Sequence, residues 1–288
     1  MITRILTVGD VARTIIDEAN AAIKANFRSS VASLYAHDSQ GKPVHAGTCS
    51  FIKSDSGHFL VSARHVFENV GYTGVHILTA IGLAPLPLDG YQTTPPNSEK
   101  SDLLDLFIAK LDDRHASWMG SVTFVDIEAA CRLIQNQNGG FQMTGLLGYP
   151  HSRNKPNLYM STVQAQPYLV SGPTRSRSQI PKKSKFRDDL HVFMKYEAKK
   201  SVDRDGRQKK AVKPQGMSGG LMVDLGIRGL IQELKDGPLR NPIPIGIITD
   251  WMTEPQIVVG AKFSALKNAI ELYQDQQNIA SVRYTISS

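Results

Sequence analysis

Pro214-Gln215-Gly216-Met217-Ser218-Gly219-Gly220-Leu221 reads as a tight turn that carries a serine and runs on into the apolar stretch Leu221-Met222-Val223. Glycines on both sides of Ser218 remove side-chain bulk, so the backbone can take unusual angles and another group can approach closely. A serine on such a turn is well placed to attack a carbonyl carbon. The N–H groups of Gly216 and Ser218 would then be aimed at the oxygen that becomes negative. The same pattern also occurs as a plain glycine turn, so it has to be read with what lies upstream.

A serine hydroxyl is a weak nucleophile near neutral pH. It needs a base within hydrogen-bond reach, and the base needs an anion that fixes its tautomer and stabilises its charged form. His65 ends the strand-like run Phe59-Leu60-Val61-Ser62-Ala63-Arg64-His65, and Asp105 opens a second one, Asp105-Leu106-Phe107-Ile108-Ala109-Lys110-Leu111. Asp102 is the rival acid, but Asp105 directly begins the apolar run. His45, His58, His76, His115, His151 and His191 lack the small-residue, strand-end setting of His65 and receive no role. The order His65, Asp105, Ser218 is one of the known triad orders.

With these three motifs in that order, the chain resembles the chymotrypsin/trypsin-like serine proteases. Val61-Ser62-Ala63-Arg64-His65-Val66 is similar to that family's Thr-Ala-Ala-His segment, Asp105 to Leu111 to its Asp-Ile-Ala strand, and Gly216 to Gly220 to its Gly-Asp-Ser-Gly-Gly turn. Gly47-Thr48-Cys49-Ser50-Phe51-Ile52 and Leu147-Gly148-Tyr149-Pro150 are weaker echoes. The resemblance runs from about Val31 to Leu266 and implies an all-β, chymotrypsin-like fold. That fold is two six-stranded antiparallel β-barrels, here with added N-terminal and C-terminal helices. The implied division is a helical extension over 1–29, a first barrel over 30–118 carrying His65 and Asp105, a second over 119–266 carrying Ser218, and a helix and tail over 267–288.

The resemblance implies a serine endopeptidase that hydrolyses peptide bonds through an acyl-enzyme and needs no metal or organic cofactor. Its oxyanion hole would be Gly216 and Ser218. Val212, Lys213, Thr249, Asp250, Trp251 and Gly260 would line the substrate pocket. Val212 stands six residues before the serine, where enzymes that cut after lysine or arginine carry an acid, so a small or apolar preference is expected. Met217 replaces the aspartate that pairs with a freshly cut N-terminus in the animal enzymes, and Arg64 and Leu221 also depart from their pattern. These departures resemble the bacterial or intracellular branch. The other class of reading is a catalytically silent, protease-like module that binds peptide or nucleic acid through basic loops.

The rest of the chain agrees with a globular protein. It has 288 residues, 41% hydrophobic and 20% charged, which is enough for one large or two smaller domains with a sizeable core. The two cysteines, Cys49 and Cys131, have neither metal spacing nor a disulfide framework and read as free thiols. The first ten residues hold a short, broken apolar stretch without a cleavage signal, and a cytoplasmic location, with no membrane partner, is the default expectation. Asp10 to Phe27 has helical spacing. Short strands follow over Val31–Tyr35, Gly47–Lys53, His58–Ser62 and Gly74–Thr79, with Gly90 to Ser101 as a loop. Trp118 to Asn138 reads as a crossover with a helix over Ile127–Gln135. Strands are expected again over Phe141–Tyr149, Leu158–Val170, Pro244–Trp251 and Gln256–Gly260, and a helix from Phe263 to Gln274.

Ser171 to Lys213 is crowded with arginine and lysine and supplies much of the net charge of +7. A nucleic-acid partner is one reading, since these side chains neutralise phosphates. Stacking aromatics are sparse there, which favours solvated loops around the cleft. The partner expected is therefore a protein or peptide substrate, and the sequence sets no oligomeric state.

Overall fold

The computed structural model describes residues 8–70, 74–79, 82–86, 91–94, 103–136, 143–156, 163–198, 211–227 and 241–286. The chain opens with helix α1 (Val8–Phe27). The first sheet is built from β1 (Val31–His37), β2 (Pro43–Ser54), β3 (Gly57–Ala63), β4 (His76–Thr79), β5 (Gly82–Pro85), β6 (Tyr91–Thr93) and β7 (Leu106–Leu111), with the short helix α2 (Arg64–Glu68) directly after β3. Helix α3 (Ala116–Met119), strand β8 (Val125–Asp126) and helix α4 (Ile127–Gln135) cross to the second half. That half holds β9 (Met143–Gly148), β10 (Tyr168–Arg175), β11 (His191–Lys195), β12 (Leu221–Asp224), β13 (Ile243–Met252) and β14 (Ile257–Lys262), and the C-terminal helix α5 (Phe263–Ile286) ends it. Among the described residues no helix is long and apolar enough to cross a membrane.

The second half closes into a barrel in the order β10-β11-β14-β13-β12-β9, every pair antiparallel. Leu146, Val192, Met194, Met222, Ile245, Ile248 and Val258 form one buried cluster in it. The alternation of β strands explains the division, since successive side chains point to opposite faces. Leu147, Val223 and Ile247, each one residue away from a member of that cluster, join a different core.

This other core ties the two halves together. Val31, Ile52, Phe59, Val61, Leu106 and Ile108 from the first sheet pack with Leu147, Leu221, Val223 and Ile247, and with Phe263, Leu266, Ile270 and Tyr273 of α5. Ala19 and Ile23 of α1 are buried in the same cluster. Helix α1 is tied down further by Ser171 Oγ, which donates to Asn20 Oδ1 at 2.5 Å. Asp126 caps α4, accepting from the Ala129 N–H at 2.7 Å.

Among the described residues the first half is the path β5-β4-β1-β2-β3-β7-β6, with β8 adding a short parallel pair to β2, and these strands do not close into the six-stranded barrel that the resemblance implies. β6 has three residues and β5 four, and Pro85 has no N–H to give to a further ladder. The expected loop over 90–101 also differs, because Tyr91–Thr93 pairs with Phe107–Ala109. Residues 95–102, including the rival Asp102, lie outside the described residues.

Two more expectations shift. The strand placed over Leu158–Val170 begins only at Tyr168 and runs on to Arg175, which carries it into the basic segment. Residues 157–162 lie outside the described residues. Within the basic segment, Arg177 is bound up in its own loop. Its Nε donates to the Phe186 carbonyl at 2.7 Å, and Nη1 and Nη2 to the carbonyls of Ile180, Pro181, Lys182 and Ser184 at 3.1–3.3 Å. That guanidinium serves as the loop's scaffold and is spent there. The lysines and arginines over 199–210 lie outside the described residues.

Candidate active site

β3 ends in the small residue Ala63, and α2 starts at once, so His65 stands on the first turn of a helix at the edge of the sheet. β7 runs beside β3, with Ala63 opposite Leu106, and this brings Asp105 alongside. Asp105 Oδ2 lies 2.5 Å from His65 Nδ1. Its other oxygen accepts the His65 N–H at 3.2 Å, and its carbonyl accepts the Arg64 N–H at 2.9 Å. One aspartate therefore holds both the ring and the backbone of the histidine. It does so with φ of 51°, in the left-handed region that aspartate tolerates better than most residues.

Burial pushes the His65 imidazole toward its neutral form. The Asp105 hydrogen bond and charge, with Asp250 and Glu68 adding, outweigh that, and its pKa stands above the ordinary histidine value. Arg64, buried at 7% exposure, pairs with Glu68 at 3.1 Å and also donates to the Thr94 carbonyl.

Ser218 sits on the turn between residue 211 and β12, and β2 and β13 grip that turn from two sides. The Thr48 N–H donates to the Ser218 carbonyl at 3.0 Å, and Thr48 Oγ1 donates to the Gly216 carbonyl at 2.8 Å. Ser50 Oγ donates to the Gly219 carbonyl at 2.8 Å. From the other side, the Gly219 N–H donates to the Ile248 carbonyl at 2.7 Å and the Ile248 N–H to the Gly220 carbonyl at 2.8 Å. Gly219 has φ of 91°, and a Cβ there would meet the Thr48 oxygen at 1.9 Å, so glycine is required. Met217 is fully buried in the cluster that holds Leu146, Met222 and Ile248, which anchors the turn by apolar packing.

Among the described residues, neither the Gly216 nor the Ser218 N–H donates a hydrogen bond, and neither Ser218 Oγ nor His65 Nε2 makes one. Two backbone donors and a serine hydroxyl are thus left uncommitted on the turn, and the histidine has one ring nitrogen tied to a carboxylate.

The residues expected to line a pocket fall in two groups. Val212, Asp250 and Trp251 are half-buried, and Lys213 is exposed. The Val212 carbonyl accepts from the Tyr196 hydroxyl. Trp251 packs against the cluster of Met217, Ile248 and Val258. Asp250 Oδ1 accepts the Trp251 N–H at 2.7 Å. Thr249 and Gly260 are turned elsewhere. Thr249 is buried and reaches the Val259 carbonyl, and a Cβ on Gly260 would meet Met222 Sδ at 2.3 Å inside the barrel. Among the described residues no group of three or more His, Cys, Asp or Glu side chains could hold a metal ion, and Cys49 and Cys131 are free.

The polar ties from β2 to the serine turn were not assigned from the sequence. Thr48 and Ser50 stand two apart on one face of a strand, and both are completely buried in the structure. The position of Asp250 within electrostatic reach of His65 had no sequence signal, because 185 residues of chain separate them (250 − 65).

No protein-family model matches this sequence, and no curated protein does. Solved structures are similar. One is described as the serine endoprotease from Yersinia pestis, at 14% identity and a TM-score of 0.47, covering 88% of this chain and 66% of that one. Another is described as the HtrA-type protease AlgW with tripeptide, at 18% identity and a TM-score of 0.44, covering 88% of this chain and 62% of that one. The chain thus spans less than two thirds of the length of these structures, and the roles of its residues rest on its own geometry.

Proposed function

We propose that this chain is a serine endopeptidase. Ser218 attacks the scissile carbonyl, His65 takes the hydroxyl proton and returns it to the leaving amine, and Asp105 holds His65 in the required tautomer. The N–H groups of Gly216 and Ser218 receive the negative oxygen. Residues 30–118 supply the base and acid in this reading and residues 119–266 the nucleophile. The observation that carries it is the bond between His65 Nδ1 and Asp105 Oδ2, taken together with a serine turn that β2 grips. In the absence of substrate, catalytic hydrogen bonds are often long and tighten only in the complex, which accommodates the uncommitted Ser218 hydroxyl. That same uncommitted hydroxyl is the observation on which the silent peptide-binding module would rest.

The substrate is a protein or peptide in this reading, with a small or apolar residue before the cut. Val212 gives no charge to a cationic side chain, and Trp251 adds to an apolar wall. Burying an unpaired substrate cation there would be costly. Incubating purified wild type and Ser218→Ala with an unfolded protein substrate tests the reading. Cleavage by wild type alone supports it, and equal cleavage by both ends it.

A further inference from the structure

The oxyanion turn has a neighbour that the proposed chemistry does not use. His45, on β2, and His151, just after β9, face each other with their Nδ1 atoms 2.7 Å apart and their rings perpendicular. Gly216 is wedged against both. A Cβ on Gly216 would come within 2.9 Å of His45 Cε1 and 2.7 Å of the His151 backbone nitrogen. The His151 N–H also donates to the Gln215 carbonyl at 2.8 Å. The residue before Gly216 is therefore bonded to the His151 backbone, and Gly216 itself packs against the His45 ring and the His151 backbone.

The contact between the rings exists in one proton state. His45 Nε2 is buried without a well-formed hydrogen bond, the Gly47 backbone being the smallest of the influences on the ring. A buried N–H without a partner is costlier than an unfilled acceptor, which assigns the proton of His45 to Nδ1, donated to His151 Nδ1. His151 is exposed and can keep its own proton on Nε2, toward water. If His151 takes a second proton, hydrogens stand on both facing nitrogens. The rings must then separate, or the His45 proton must move to the buried Nε2. Either way the packing against Gly216 is disturbed.

We propose that His45 and His151 are positioning residues for Gly216, a neutral imidazole pair that holds its N–H in place and releases it when His151 is protonated. The proposal rests on the reading of Gly216 as an oxyanion donor. Burial lowers the pKa of both rings, that of His45 to about 3 with the His151 charge adding, which favours the neutral pair. The other titratable and charged groups around it are Tyr35 on β1, whose ring stands edge-on to His45, and Asp38, Lys42 and Lys155, which line a cavity of about 370 Å³ beside the two histidines. Asp38 Oδ1 accepts the N–H groups of Gln40 and Lys42.

The test is nuclear magnetic resonance of the full chain carrying His65→Gln, so that the base contributes no titration. The Gly216 amide shift, followed from pH 8 downward, should move with the midpoint of the His151 ring. Adding His151→Asn should leave it flat over the same range. A Gly216 amide that ignores the His151 midpoint overturns the proposal, as does one that moves equally in both proteins. This readout does not depend on turnover. If wild type also hydrolyses peptides, its rate below the His151 midpoint should fall roughly a hundredfold per pH unit and that of His151→Asn roughly tenfold, since two protons act in one and one in the other. A tenfold slope in both overturns it. Absence of cleavage with the amide coupling intact would instead remove the peptidase reading alone.

Discussion

The backbone N–H of Thr48 and the carbonyl of Ser218 form a 3.0 Å hydrogen bond, so β2 of the first sheet directly positions the serine turn of the barrel. The space under that bond is occupied by Gly219. Gly219→Ala forces a methyl group onto the Thr48 oxygen at a backbone angle that alanine resists. Overpacking and the left-handed angle together should cost about 3 kcal/mol, and the melting temperature should fall by roughly 6–12 °C. Gly41→Ala is the control: its φ is 74°, but nothing lies within 4 Å, and the cost should be about 1–2 kcal/mol. Thermal denaturation of both variants checks this, and equal losses would contradict the packing argument.

Asp105→Asn separates chemistry from folding. Asparagine matches aspartate in shape and also tolerates the left-handed region that Asp105 occupies. The fold should therefore survive while the histidine loses its anion and its tautomer. Under the proposed mechanism kcat should drop on the order of 10⁴-fold. Circular dichroism and kinetics on the same sample check the two halves of the claim.

The acid limb of activity should respond to Asp250. The base works only when neutral, and its pKa is raised by Asp105, Asp250 and Glu68 against the opposing effect of burial. The rate should therefore rise with pH through a midpoint above the ordinary histidine value of about 6.5. Asp250→Asn removes one of the raising charges, so the midpoint should move to lower pH. The stability effect has its own sign. A raised pKa means that folding favours the charged ring, a contribution fully present below the unfolded value and lost as pH rises through the folded one. Asp250→Asn should thus weaken the fold on the acid side and leave it unchanged at high pH. A pH–rate profile and denaturation at two pH values check both.

Profiling with a peptide library tests the pocket. Selection for small or apolar residues before the cut is expected from Val212 and Trp251. Strong selection for lysine or arginine there would contradict it and would point to Asp250 as the charge partner.

Much of this was legible in the sequence because the signals are local. The glycines around Ser218, the small Ala63 that ends the strand two residues before His65 and the apolar run after Asp105 each encode a turn or a strand end within a few residues. The helix over Ile127–Gln135 was readable for the same reason. The pairing order of the first sheet was not, because it depends on contacts between distant segments that no local residue pattern encodes. Thr48 and Ser50 looked like ordinary strand residues until the fold put the serine turn against them. His45 and His151 are 106 positions apart and each is unremarkable alone; only the fold makes them a pair.

Labelling with a fluorophosphonate tests the central claim most directly, since such a reagent bonds to an activated serine and leaves ordinary ones alone. The full-length protein should be labelled at Ser218 without prior trimming, because buried Met217 already anchors the turn. Ser218→Ala should abolish labelling and His65→Ala should nearly do so, with both proteins folded. Failure of the folded wild type to label at Ser218 above the midpoint of His65 would contradict the account.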